Sequence, residues 1–85
     1  MTRYGCANGM FEDSTLIQCD ILEDSGLDFD GGIVANVPWE DFFVRLESGD
    51  EVVVVAKSRL SMNPDECQAR EEILQLLGVK LTALA

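Results

Sequence analysis

The sequence predicts a mainly β (α+β) domain, a small OB-like or SH3-like antiparallel β-barrel closed by one C-terminal amphipathic helix. Three observations lead there. Val52-Val53-Val54-Val55 is a run of β-branched residues, which lose rotamer freedom in a helix but pack well on a pleated sheet. Gly31-Gly32 interrupts an apolar stretch, as at the bulged corners of small barrels. Asn63-Pro64-Asp65-Glu66 opens one clear helix, with Asn63 as N-cap, Pro64 in the first position and Glu66 completing a capping-box pattern.

Residues 1–14 show no periodicity and read as a flexible N-terminal arm, leaving 15–85 as a single domain. Thr15 to Leu22 is rich in apolar and β-branched residues and reads as the first strand. Glu23-Asp24-Ser25-Gly26 is the turn into a second strand, Leu27 to Val37. Pro38 cannot donate to a strand ladder, so it ends that strand, and Pro38 to Asp41 fits a single helical turn. Phe42 to Leu46 reads as strand, Ser48-Gly49-Asp50 as turn, and Glu51 to Lys57 as strand. The continuous apolarity of this last strand requires both of its faces to be at least partly covered. The helix spans 64–77, with Ala69, Ile73, Leu76 and Leu77 facing inward and Gly78 ending it in a Schellman turn against Val79. Lys80 to Ala85 reads as a short strand or a tail.

The chain has 85 residues, 47% hydrophobic and 26% charged, enough for one modest core. Its net charge is -10, and the charge is uneven: residues 1–51 hold twelve acids against two bases, residues 52–85 four against four. Such a chain repels nucleic acid and anionic membranes and suits a basic protein partner or mimicry of a nucleic acid. Three cysteines without close spacing, and no apolar run of membrane-span length, point to the reducing cytoplasm.

No histidine is present, so the commonest general base is missing, and C-x-x-C, G-x-S-x-G and phosphate-loop patterns are absent. The expectation is a non-enzymatic protein without cofactor or metal. Asp28-Phe29-Asp30-Gly31 resembles the start of a calcium loop, but Trp39 stands where the twelfth-position Glu belongs. Cys19 and Cys67 read as core residues. Cys6, in the polar arm, is a candidate exposed thiol; Phe11 lies on the same arm. Trp39 beside Glu40 and Asp41 is a candidate interface anchor, since Trp is enriched at binding hot spots. The candidate partner-binding residues are therefore Cys6, Phe11, Trp39, Glu40 and Asp41.

From Leu27 onward, D-F-D-G-G-I-V-A-N-V (28–37), G-D-E-V-V-V-V (49–55) and S-M-N-P-D-E-C-Q-A-R-E-E-I-L-Q-L-L (61–77) resemble the HypC/HupF hydrogenase maturation chaperones. The resemblance implies an OB-like barrel with a C-terminal helix and a small binding protein that serves metalloenzyme assembly. Thr2 follows Met1 where that family has cysteine, and Val55 stands in place of its strand-end histidine, so the fold and binding habit carry over but not the iron chemistry. The hairpin from Phe42 to Ala56 also resembles that of OB-fold translation initiation factors. The leading expectation is thus a small acidic, chaperone-like protein-binding module. The alternative is an acidic inhibitor or nucleic-acid mimic, of phage or mobile-element type, acting on a basic protein.

Overall fold

The computed structural model describes residues 1–8, 12–61 and 63–85, and the side chains of all of these except 12 and 13. The chain alternates strands and helices: β1 (Arg3–Ala7), α1 (Glu12–Asp24), β2 (Ile33–Ala35), α2 (Trp39–Phe43), β3 (Glu51–Val54), a 3-10 turn (Lys57–Arg59), α3 (Pro64–Leu76) and β4 (Lys80–Ala83). The strands form one sheet in the order β2-β1-β3-β4, and every pairing is parallel. The fold is therefore a small α/β layered domain, not the antiparallel OB-like or SH3-like barrel expected from the sequence.

The physical reason lies in β3. All of its residues are buried, with Val52 and Val54 on one face and Val53 on the other. A strand covered on both sides is the habit of parallel sheets, whose crossover helices lie on the sheet faces. Right-handed crossovers set the sides: β1 to β2 runs one way along the sheet, and the next two connections run the other. Consistent with that rule, Trp39 and Phe42 of α2 and Leu74 of α3 pack with Cys6, Val34, Val52 and Val54. Leu22 of α1 packs on the opposite face with Ala7 and Val53, flanked by Cys19, Leu27, Phe29, Ile33 and Val55.

Four elements differ from the sequence reading. The supposed arm 1–14 contains β1, an inner strand paired on both sides, with Gly5 opposite both Ile33 and Val53. Gly5 fits there because a Cβ would stand 3.0 Å from Ile33 Cγ1 and 3.4 Å from Leu22 Cδ1, so its absence lets α1 and β2 approach closely. Thr15 to Leu22 is helix, not strand, and Phe42 to Leu46 is the end of α2 and the turn after it. The stretch Leu27 to Val37 is mostly loop, with only Ile33–Ala35 in the sheet.

The α2, β3, α3 and β4 readings hold near their expected positions. Asn63 Oδ1 accepts from the Asp65 amide at 2.9 Å, and Gly78 (φ 74°) closes the Schellman turn as Val79 N–H donates to Leu74 O. The inward face of α3 is offset from the expected one. Leu74 is fully buried, whereas Leu76 is 88% exposed, and Ala69 and Ile73 also face outward.

Charge and hydrogen bonds tie the amino-terminal edge of the sheet. Asp50 accepts from the Thr2 amide through Oδ1 and from the Glu47 amide through Oδ2. Glu51 accepts from Arg3 Nε and from the Thr82 hydroxyl, both at 2.6 Å, linking β3 to β1 and to β4. Bonds of this kind favour the ionised carboxylate. The backbone donors of Glu47 and then Thr2 hold the Asp50 carboxyl below its ordinary range, and Thr82 and then Arg3 do the same for Glu51. A carboxyl whose pKa is depressed by folding adds stability above its unfolded value, and that stability disappears as pH falls through the folded value. The wild-type melting temperature should therefore fall as pH drops below about 4, the unfolded carboxyl range. In Asp50→Asn/Glu51→Gln that acid dependence should be shallower in a pH series of thermal melts; an unchanged slope would contradict this role.

Candidate functional site

In an open α/β sheet, ligands bind beyond the carboxyl ends of the strands, where successive connections leave in opposite directions. Here that point lies between β1 and β3, since β1 leads outward to β2 and β3 outward to β4. The residues around it are Asn8 after β1, Asn36 after β2, Lys57, Ser58 and Arg59 after β3, and Thr15 and Gln18 on α1.

These groups are largely bonded to one another. Gln18 is buried and clamps Asn8: its Oε1 accepts from the Asn8 amide at 3.2 Å, and its Nε2 donates to the Asn8 carbonyl at 2.5 Å. Asn36 Nδ2 donates to Thr15 Oγ1 at 2.9 Å, and the Asn36 backbone is left-handed at φ 53°. Asn8 Nδ2 lies 3.3 Å from Cys6 Sγ. Lys57 is paired with Glu71 at 2.9 Å, while Ser58 and Arg59 are exposed. The set is rich in amides and hydroxyls that fix backbone geometry. It presents no activated nucleophile: burial pushes the Cys6 thiol up to about 12, more than the Asn8 contact brings it back. Among the described residues, no three Cys, Asp or Glu side chains are grouped so as to hold a metal ion.

The structure places four of the five residues that the sequence singles out: Cys6 and Trp39 in one core cluster, and Glu40 and Asp41 on the surface. Cys6 is buried in β1, not exposed on an arm. Trp39 is 7% exposed, edge-on against Phe42 with the Arg70 guanidinium 5.3 Å above its ring, and so is packed into the core. Glu40 and Asp41 are exposed on the first turn of α2. Phe11 lies outside the described residues.

The surface that sequence reasoning missed is the outer side of α1. Thr15, Gln18, Cys19 and Leu22 turn toward the sheet, while Leu16, Ile17 and Ile21 are 55%, 60% and 41% exposed. Polar Thr15 and Gln18 take inward places because they complete hydrogen bonds at the carboxyl edge, and three large aliphatics are turned outward. Between them run exposed Asp20 and Asp24, with exposed Glu23 one turn beyond Asp20. The last turn of α1 has no basic residue, although cations are favoured at a helix C-terminus by roughly 0.3–1 kcal/mol each. Ile-Ile spacing over a helical turn was the available signal. Taken as a strand, the same residues put Leu16 on the opposite face from Ile17 and Ile21, so the three do not form one surface.

No protein-family model matches the chain, and no curated protein matches it. No helix among the described residues is long and apolar enough to cross a membrane.

Replacing Gln18 by Leu keeps a buried side chain of similar size but leaves the Asn8 amide and carbonyl without their partner. Chemical denaturation should show a loss of about 1–3 kcal/mol, the cost of stranding such groups. A variant as stable as wild type would show that water replaces the clamp.

Proposed function

We propose that the protein is a non-enzymatic binding module that docks a protein partner on the outer face of α1. One observation carries the proposal: Leu16, Ile17 and Ile21 face outward from a helix whose inner face is already packed. Single exposed aliphatics are ordinary, whereas several large ones on one side of a helix, interleaved here with carboxylates, mark a candidate interaction surface. Covering half-exposed Leu or Ile side chains gains on the order of 1 kcal/mol each, half or less of full burial.

The chemistry of the carboxyl edge supports the non-enzymatic reading. Its buried polar side chains are amides and hydroxyls engaged in holding loops, its nearest thiol is buried, and the chain contains no histidine. The maturation-chaperone resemblance lends the reading only its binding habit, because the segments that carry it here build a loop, two parallel strands (β2 and β3) and α3. Three free cysteines favour a cytoplasmic setting for the partner. The acidic-inhibitor reading is kept as second, because the exposed acids on α1 have no basic neighbour on that helix; it uses the same face.

The test is retention of partners from host extract by the tagged protein. Ile17→Ser/Ile21→Ser should lose the retained protein. Glu40→Lys/Asp41→Lys, on α2, should keep it. Both pairs are exposed, so stability should stay within about 0.5 kcal/mol of wild type. Retention unaffected by the α1 pair would contradict the proposal.

A further inference from the structure

We infer that the occupant of the α1 face is an amphipathic helix of a basic protein, with aliphatic residues one turn apart and Lys or Arg between them. The inference rests on the docking reading above and specifies its partner. Leu16, Asp20 and Asp24 form one ridge along the helix at four-residue spacing, and Ile17 and Ile21 form the next. The groove between two such ridges is the shape into which a second helix sets its own ridge. Aliphatic side chains of the occupant would meet Leu16, Ile17 and Ile21, while its cations would meet Asp20, Glu23 and Asp24.

Charge selects among the possible occupants. α1 carries acids and no base, and Glu23 and Asp24 stand at the helix end where the dipole disfavours them. A local rule broken within the folded chain is expected where a surface serves recognition. Anionic lipid and nucleic acid are repelled by the same carboxylates. A second copy docked through its own α1 would set Asp20 and Asp24 of one chain against those of the other. A cationic helix satisfies both the apolar and the charged parts of the face.

The test uses two fluorescent synthetic helical peptides with the same leucine spacing, one with Lys and one with Glu at the intervening positions, and a scrambled Lys peptide. Binding to the full chain is followed by anisotropy over a salt series, with circular dichroism to confirm that each variant is folded. The Lys peptide should bind about tenfold or more tightly than either control, and its affinity should fall as salt rises. Ile17→Ser/Ile21→Ser should abolish that preference. Asp20→Lys/Glu23→Lys/Asp24→Lys should transfer it to the Glu peptide. Equal binding of the Lys and Glu peptides, lost in Ile17→Ser/Ile21→Ser, would leave α1 as a docking face but overturn a basic occupant. Equal binding of the ordered and scrambled Lys peptides, untouched by the isoleucine changes, would overturn both the occupant and the docking face. Failure of both leucine peptides to bind would overturn the occupant, as would a concentration-dependent dimer abolished by the isoleucine changes, which would make the occupant a second copy.

Discussion

Burial of β3 on both faces is the constraint from which the rest of the architecture follows. Four consecutive positions, Glu51 to Val54, lie inside, and the three valines alternate between two clusters on opposite sides of the sheet, Val52 and Val54 in one and Val53 in the other. Each side must therefore be covered, and a chain of this length has only helices to cover it with. Helices that connect neighbouring strands across a face make the strands parallel. The handedness of those crossovers then places α2 and α3 on one side and α1 alone on the other. An inner strand with an acid at its head also needs a partner for the charge. Arg3 on β1 and Thr82 on β4 supply it, so one residue ties three strands.

The two ends of the sheet are held by different chemistry. At the amino end, ionised Asp50 and Glu51 gather backbone amides, a guanidinium and a hydroxyl. At the carboxyl end, neutral side chains do the work: Gln18 holds Asn8, and Asn36 meets Thr15. That division has a consequence for α1. The helix spends two of its inward positions on Thr15 and Gln18, so its apolar residues are not all directed at the core. Leu16, Ile17 and Ile21 are what the partner-binding proposal is built on, and they face outward because the loop after β1 needs an amide beneath it.

Elements whose signals are local were legible. The valine run gave β3, Pro38 gave the short α2, and Asn63-Pro64 with Gly78 gave both ends of α3. Elements whose form is imposed by neighbours were not. Arg3-Tyr4-Gly5-Cys6-Ala7 has a glycine at its centre and no alternation, and it is a strand because β2 and β3 flank it. In α1 the polar inner positions inverted the usual apolar pattern, so Thr15 to Leu22 looked like strand, and the misreading hid the candidate docking face along with the helix. Trp39 and Cys6 were singled out by residue type, yet packing against the sheet puts both inside. The clue to the parallel sheet is the unbroken apolarity of residues 52–55. Read with the strong helix that follows it, that run is the signature of a parallel strand between helical layers.

The most direct test of this account is the strand pairing itself, by amide and α-proton NOEs in the isotopically labelled protein. The parallel sheet predicts contacts that place Gly5 beside Val53 and Val53 beside Thr82, with the slowest amide exchange at Val52 to Val54. Close α-proton pairs between residues 42–46 and 51–57, as in an antiparallel hairpin, would contradict it.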